Sequence, residues 1–211
     1  MNSLVILLGP TGVGKTELSL QVAERFGSPI ISSDSRQLYK DLPIGTAAPT
    51  PEQMARVKHY MVGTLSLTDY YSASNFEEDV VSLLSELHKT IPTVVMTGGS
   101  MMYIDAVCKG IDDIPTISPE LRTGLMEVYE REGLESIRQM LKELDPVFYG
   151  QVDLNNGKRV LHAVEVCRMA GVPYSSLRKN TPKDRGFRIV RIGLNREREA
   201  VSYTHLRAHE T

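Results

Sequence analysis

The residues Gly9-Pro10-Thr11-Gly12-Val13-Gly14-Lys15-Thr16 make a complete G-x-x-x-x-G-K-T string directly after the apolar run Leu4-Val5-Ile6-Leu7-Leu8. Glycines at these spacings let successive backbone N–H groups curl round an anion. The lysine adds a point charge at the terminal phosphates, and the hydroxyl after it can ligate Mg2+. Residues 9–16 are therefore expected to hold a phosphorylated substrate, with Lys15 stabilising its charge and Thr16 as the metal ligand. A second chemical group, Asp34, closes the stretch Pro29-Ile30-Ile31-Ser32-Ser33. A carboxylate at the end of the strand that follows a phosphate-loop helix can face the atom under attack and accept its proton; its plainer alternative is a turn or helix-cap residue. The run Pro92-Thr93-Val94-Val95-Met96-Thr97 ends on Gly98-Gly99-Ser100, where hydrolytic phosphate-loop motors usually place an acid that holds Mg2+ through water. ATPase and GTPase readings weaken accordingly, and group transfer to an acceptor is favoured.

The elements that must position these groups follow from the hydrophobic pattern. Strands are expected at residues 4–8, 29–34, 92–97 and 187–193, with helices at about 16–26 and 76–89, the latter capped by Ser74 or Asn75. Such alternation predicts a P-loop NTPase-like α/β fold, a parallel sheet flanked by helices on both faces. Ligands of such sheets sit beyond the carboxyl ends of the strands, which is where the phosphate loop, Asp34 and Ser100 fall. From about Asp112 to Pro182 the rhythm breaks. Ser118-Pro119-Glu120 starts a helix with Leu121, Leu125 and Val128 on one face, and Gly133 separates it from Leu134, Ile137 and Leu141. Asn155 or Asn156 starts another, with Val160, Ala163, Val164 and Cys167 facing inward, and Gly171 and Pro173 end it. The expected organisation is a core over residues 1–111, a small all-helical insertion domain over 112–182, a return strand of the core within 183–200, and a non-native or disordered tail over 201–211.

Composition narrows the setting. A chain of 211 residues can bury one substantial core plus a smaller one. Apolar content of 41% and charged content of 24% are ordinary for a soluble protein, and no stretch approaches the roughly 20 apolar residues that span a bilayer. The apolar start is too short for a signal peptide, so a cytoplasmic protein without membrane contact is expected. Cys108 and Cys167 have neither metal-ligand spacing nor a disulfide framework. The net charge of −2 conceals an asymmetry, because residues 156–200 carry eleven Lys or Arg against four acids. That segment suits a polyanion, although a solvated basic face would read the same way.

Two further blocks sharpen the reading. Asp34-Ser35-Arg36-Gln37-Leu38-Tyr39-Lys40 continues into Leu42-Pro43-Ile44-Gly45-Thr46-Ala47, and Gly98-Gly99-Ser100 is followed by Tyr103. Together with the phosphate loop these motifs closely resemble the tRNA dimethylallyltransferase family. The similarity runs to about Ala200 and includes Pro119-Glu120-Leu121-Arg122 and Lys158 to Glu165. The resemblance implies transfer of a five-carbon dimethylallyl group from dimethylallyl diphosphate to N6 of adenosine 37 in the anticodon stem-loop of tRNA. Gly9, Pro10, Thr11, Gly12, Val13, Gly14, Lys15 and Thr16 would then hold the diphosphate leaving group, with Mg2+ at Thr16. Asp34 would orient the exocyclic amine and take its proton, and Ser100 would hydrogen bond at the reacting centre. The adenine must be turned out of its stack; Asp34, Ser35, Arg36, Gln37 and Ser100 would touch it and its neighbours. Arg122 would contact tRNA at the edge of the insert, and Lys158, Arg159, Val160, Leu161 and His162 would lie along the RNA path.

Three departures from the family pattern stand out. Ser100 replaces the usual Thr, His162 stands where Arg is frequent, and after Ala200 an Arg-bearing helix gives way to Val201–Thr211. A truncated, monomeric core that binds diphosphate yet transfers slowly or not at all is the expectation. The alternatives are a P-loop kinase of small metabolites or nucleosides, with Arg122, Arg131 or Arg138 on a lid, and a noncatalytic RNA-binding module.

Overall fold

Four consecutive buried residues, Leu4 to Leu7, mark the first strand as one covered on both faces, the signature of a parallel sheet between helix layers. The computed structural model of the chain describes residues 1–112, 114–179 and 181–195. Arg196, Arg198 and the expected tail at 201–211 lie outside the described residues. In chain order the first unit contains β1 (Ser3–Leu8), α1 (Lys15–Phe26), β2 (Ile30–Ser32), α2 (Pro51–Arg56), β3 (His59–Tyr60), α3 (Ala73–Leu87), β4 (Thr93–Gly98), α4 (Met101–Lys109) and, after the helical unit, β5 (Arg188–Gly193). All pairings are parallel, in the order β3-β2-β4-β1-β5. The register sets Leu8 beside Gly98 and Ser32 beside Thr97, so the loops leaving β1, β2 and β4 emerge side by side.

Side chains alternate across the sheet. On one face Val5, Leu7 and Val95 pack with Leu20, Ala23, Ile30 and Val57. Leu4 and Ile6 point the other way; also fully buried are Phe76, Val80, Leu84 and Ile104 from α3 and α4, and Phe76 stacks on Tyr103 with ring centroids 4.4 Å apart. Helix α3 begins earlier than its apolar spacing suggests. Ser72 caps it by accepting the Asn75 N–H while the Asn75 side chain accepts the Ser72 N–H. That reciprocal box replaces the cap expected at Ser74 or Asn75. The two-residue β3 and the short α2 are additions, each too short to show periodicity.

The second unit, Ile111–Thr181, is all helical: α5 (Pro119–Glu132), α6 (Leu134–Leu144), α7 (Pro146–Tyr149), α8 (Gly157–Ala170) and α9 (Tyr174–Leu177). Ser118 caps α5 and Asn156 caps α8, while Gly171 ends α8 in the left-handed conformation at φ 68°. Leu125, Ile137, Leu141, Phe148, Val160, Leu161, Ala163 and Val164 form its core. Asp145 is wholly buried, and its carboxylate accepts the Phe148 N–H, the Ser175 N–H and the Ser175 hydroxyl. Three donors offset the cost of removing that carboxylate from water.

Candidate active site

At the carboxyl ends of the strands lies a cavity of about 370 Å³, lined by Thr11, Gly12, Gly14, Lys15 and Thr16 from the phosphate loop, Ser32 and Asp34 from the end of β2, and Thr97 and Gly98 from β4. The loop needs its glycines for two reasons. Gly12 and Gly14 adopt φ of 80° and 94°, a region that disfavours a Cβ. At Gly9 an added Cβ would lie 2.5 Å from the Leu194 carbonyl oxygen, so β5 and the loop approach only because that atom is missing. Val13 is instead buried, so its side chain anchors the loop rather than lining the cavity. Lys15 Nζ donates to the Gly9 and Pro10 carbonyl oxygens, both at 2.8 Å, which holds its charge over the loop. Partial burial lowers the Lys15 pKa, and the Asp34 carboxylate opposes that shift. The two groups are thus in electrostatic reach of each other within one cavity.

Asp34 is half-buried, and its Oδ1 accepts the Arg36 N–H at 3.0 Å, a turn that aims the carboxylate. Ser100 sits at the N-cap of α4 without capping it. Its hydroxyl accepts the Ser35 N–H and bonds the Ser35 hydroxyl, while the Ser100 N–H donates to the Ser33 carbonyl. Gln37 is also committed: its amide donates to the Thr46 and Ala47 carbonyls, and its Oε1 accepts the Ser32 hydroxyl. That bridge fastens the loop of Thr46, Ala47 and Pro49 to β2 as a further wall of the cavity. Ala47 is held at φ 48°, an uncommon conformation for a residue with a Cβ. Arg36 is exposed.

His59 is a wall residue that sequence reasoning missed. Its Nδ1 lies 2.8 Å from the Val57 carbonyl oxygen, which can only accept, so Nδ1 carries the proton. Burial lowers the pKa of this ring, with the Val57 bond opposing. The sequence signal, one histidine in a two-residue strand, was too short to read.

The helical unit carries the remaining candidates. Lys158, Arg159 and His162 are exposed on α8. Val160 and Leu161 are not: at 0% and 8% exposure they belong to the core, which corrects the expectation that they lie along an RNA path. A helix turns 100° per residue, so neighbours of surface cations face inward. Arg122 donates through Nε to Glu165 Oε1 at 3.2 Å, and His162 Nδ1 lies 3.5 Å from Glu165 Oε2. Arg131 pairs with Glu132, and Arg138 with Glu135, the Leu154 carbonyl and Asn155. Among the described residues no trio of His, Cys, Asp or Glu could hold a metal, and no helix is long and apolar enough to cross a membrane.

A parallel sheet whose strand-end loops bring a phosphate loop, a lysine and a carboxylate to one cavity defines a protein of the P-loop NTPase-like fold. Residues 37–208 match the family described as IPP transferase, and the chain belongs to that family. It is 82% identical over 201 residues to tRNA dimethylallyltransferase 2 of Parabacteroides distasonis, covering 95% of this chain and 67% of that protein. It is 60% identical to tRNA dimethylallyltransferase 1 of Phocaeicola vulgatus, with the same coverage. The chain thus spans about two thirds of the length of these relatives. Among solved structures, a tRNA isopentenylpyrophosphate transferase from Bacillus halodurans matches with a TM-score of 0.57 at 30% identity, over 95% of this chain and 62% of that one. A eukaryotic dimethylallyltransferase acting on tRNA matches with a TM-score of 0.82 over 99% of this chain and 52% of that one; at 24% identity this likeness concerns the fold. The kinase alternative is not favoured by these relationships.

Proposed function

We propose that the chain transfers a dimethylallyl group from dimethylallyl diphosphate to N6 of adenosine 37 beside the anticodon of tRNA. The observation that carries this reading is the shared cavity of Lys15 and Asp34 beneath the phosphate loop, in a chain of the IPP transferase family. As the allylic C–O bond breaks, negative charge grows on the departing diphosphate, and the Lys15 ammonium and the backbone N–H groups of the phosphate loop other than Pro10 stabilise it. The C–N6 bond forms, and Asp34 accepts the proton that the amine releases. Ser100 acts through the Ser35 turn that carries Asp34.

The donor set fits Mg2+. This ion commonly takes one or two protein oxygens and completes its shell with phosphate oxygens and water. Thr16 supplies one such oxygen on the cavity wall, which leaves Asp34 to act as the base, and the ion would add Lewis-acid stabilisation of the diphosphate. Arg36, Lys158, Arg159, Arg122 and His162 are the proposed tRNA contacts. The proposal has the protein act in the cytoplasm as a monomer; two buried free cysteines, Cys108 and Cys167, suit a reducing compartment.

The test is transfer of labelled dimethylallyl to unmodified tRNA containing adenosine 37. It compares this chain, the same chain extended by the carboxyl-terminal third of the Parabacteroides distasonis relative, and Asp34→Asn in the extended form. Transfer by the extended chain that falls by about 10²-fold or more in Asp34→Asn is expected. No transfer by the extended chain refutes the reading.

A further inference from the structure

A carboxylate removed from water is costly unless cations meet it, and the helical unit contains one placed under a surface. The Glu165 side chain is 5% exposed, while the two basic side chains around it, Arg122 and His162, are 42% and 46% exposed. One carboxylate oxygen takes the Arg122 Nε edge and the other faces His162 Nδ1. The His162 ring then meets Tyr174 edge-on, with centroids 5.9 Å apart, and the exposed Arg178 guanidinium lies over Tyr174 at 5.6 Å and over Phe148 at 5.3 Å. Arg178 makes no ion pair among the described residues. Arg122 and Glu165, 43 positions apart on α5 and α8, are thereby joined through His162 and Tyr174 to the Arg178 guanidinium in a continuous row of side chains.

We propose that Glu165 is a positioning residue for RNA binding, whose buried carboxylate orients Arg122 and His162 toward the phosphate backbone, and that Arg178, stacked on Tyr174 beside His162, extends the same face. The proposal rests on the tRNA reading above. Long cationic side chains lose rotamer freedom when they grip a phosphate. Fixing Arg122 and His162 from below removes part of that cost before RNA arrives. Arg178 gains the same benefit from its aromatic support.

Simple electrostatics and the positioning role predict opposite signs. Removing a negative charge from a nucleic-acid-binding face should tighten binding, whereas removing a positioning carboxylate should weaken it. The experiment is a salt-dependent titration of an anticodon stem-loop RNA with the full chain, its Glu165→Gln, Arg122→Gln and Arg178→Gln variants, and the Arg122→Gln/Glu165→Gln double variant. Glu165→Gln is expected to weaken binding about fivefold to tenfold, with little further loss in the Arg122→Gln background. Arg178→Gln is expected to weaken binding and reduce the slope of log affinity against log salt by about one. Unchanged or tighter binding by a folded Glu165→Gln overturns the positioning role. Should that variant melt below the assay temperature, Arg178→Gln decides, and unchanged affinity and slope overturn the shared face. Failure of the stem-loop to bind both the wild-type chain and its carboxyl-terminally extended form sinks the tRNA reading itself, an outcome distinct from the other two.

Discussion

The Ser100 hydroxyl accepts the Ser35 backbone N–H at 2.9 Å and donates to the Ser35 hydroxyl at 3.1 Å, tying the loop after β4 to the loop after β2 across 65 residues of chain. A serine at an N-cap ordinarily bonds the first turn of its own helix, and Ser100 does not. Its hydroxyl holds in place the turn from which Asp34 projects.

Replacing Ser100 by Ala therefore strands the Ser35 N–H. Stability should fall by about 1–2 kcal/mol, and kcat should drop more than KM rises, because Asp34 loses its aim. Ser100→Thr keeps the hydroxyl and should restore both. Denaturant melts with steady-state transfer assays on the two variants check this; full activity in Ser100→Ala would falsify the positioning role.

Lys15 is held by two carbonyls of its own loop and lines the cavity in which the diphosphate is proposed to sit. Lys15→Met should lower kcat by about 10²- to 10³-fold and weaken binding of inorganic pyrophosphate. Calorimetric titration with pyrophosphate and Mg2+ measures the second effect independently of turnover.

Gly98 is where β4 passes β2 too closely for a side chain. An added Cβ would lie 2.4 Å from Ser33 Oγ and 2.6 Å from the Ser33 carbonyl carbon. Since part of the obstacle is backbone, Gly98→Ala should cost about 1–3 kcal/mol. A urea midpoint that does not move would show that the strands separate more readily than this geometry allows.

His59 makes a pH-dependent contribution to stability. Burial lowers its folded pKa below the usual value near 6.5. Above about pH 6.5 the ring is neutral in both states and contributes no dependence. As pH falls toward the folded pKa, the unfolded chain takes up the proton first, and stability is lost. Urea midpoints from pH 7.5 to 5 should fall more steeply for the wild-type chain than for His59→Asn. Parallel curves would mean that the ring is as easily protonated in the fold as outside it.

Much of this protein was legible along the chain because the informative residues are contiguous. The phosphate loop is eight consecutive residues after an apolar run, and a local backbone shape needs only local sequence. The same holds for Ser118 and Asn156 as caps and for Gly171 as a stop, since each acts within one helical turn. The parallel sheet followed from strands alternating with helices.

What pairs with what across the fold was decided elsewhere. Nothing near Ser100 announces that its hydroxyl serves Ser35, nor near Gln37 that its amide carries the Thr46 and Ala47 carbonyls. His59 joined the cavity through a strand of two residues, below any readable period. Leu161 lies outside the inward face that the spacing of Val160, Ala163 and Val164 marks, yet packing with Ile137 and Leu141 draws it into the same core. Glu165 reads on α8 as one more charged residue; only the approach of α5 makes it a buried partner of Arg122. Backbone shape follows from neighbours in sequence, whereas burial and hydrogen-bond partnership depend on which segments meet once the apolar faces have packed.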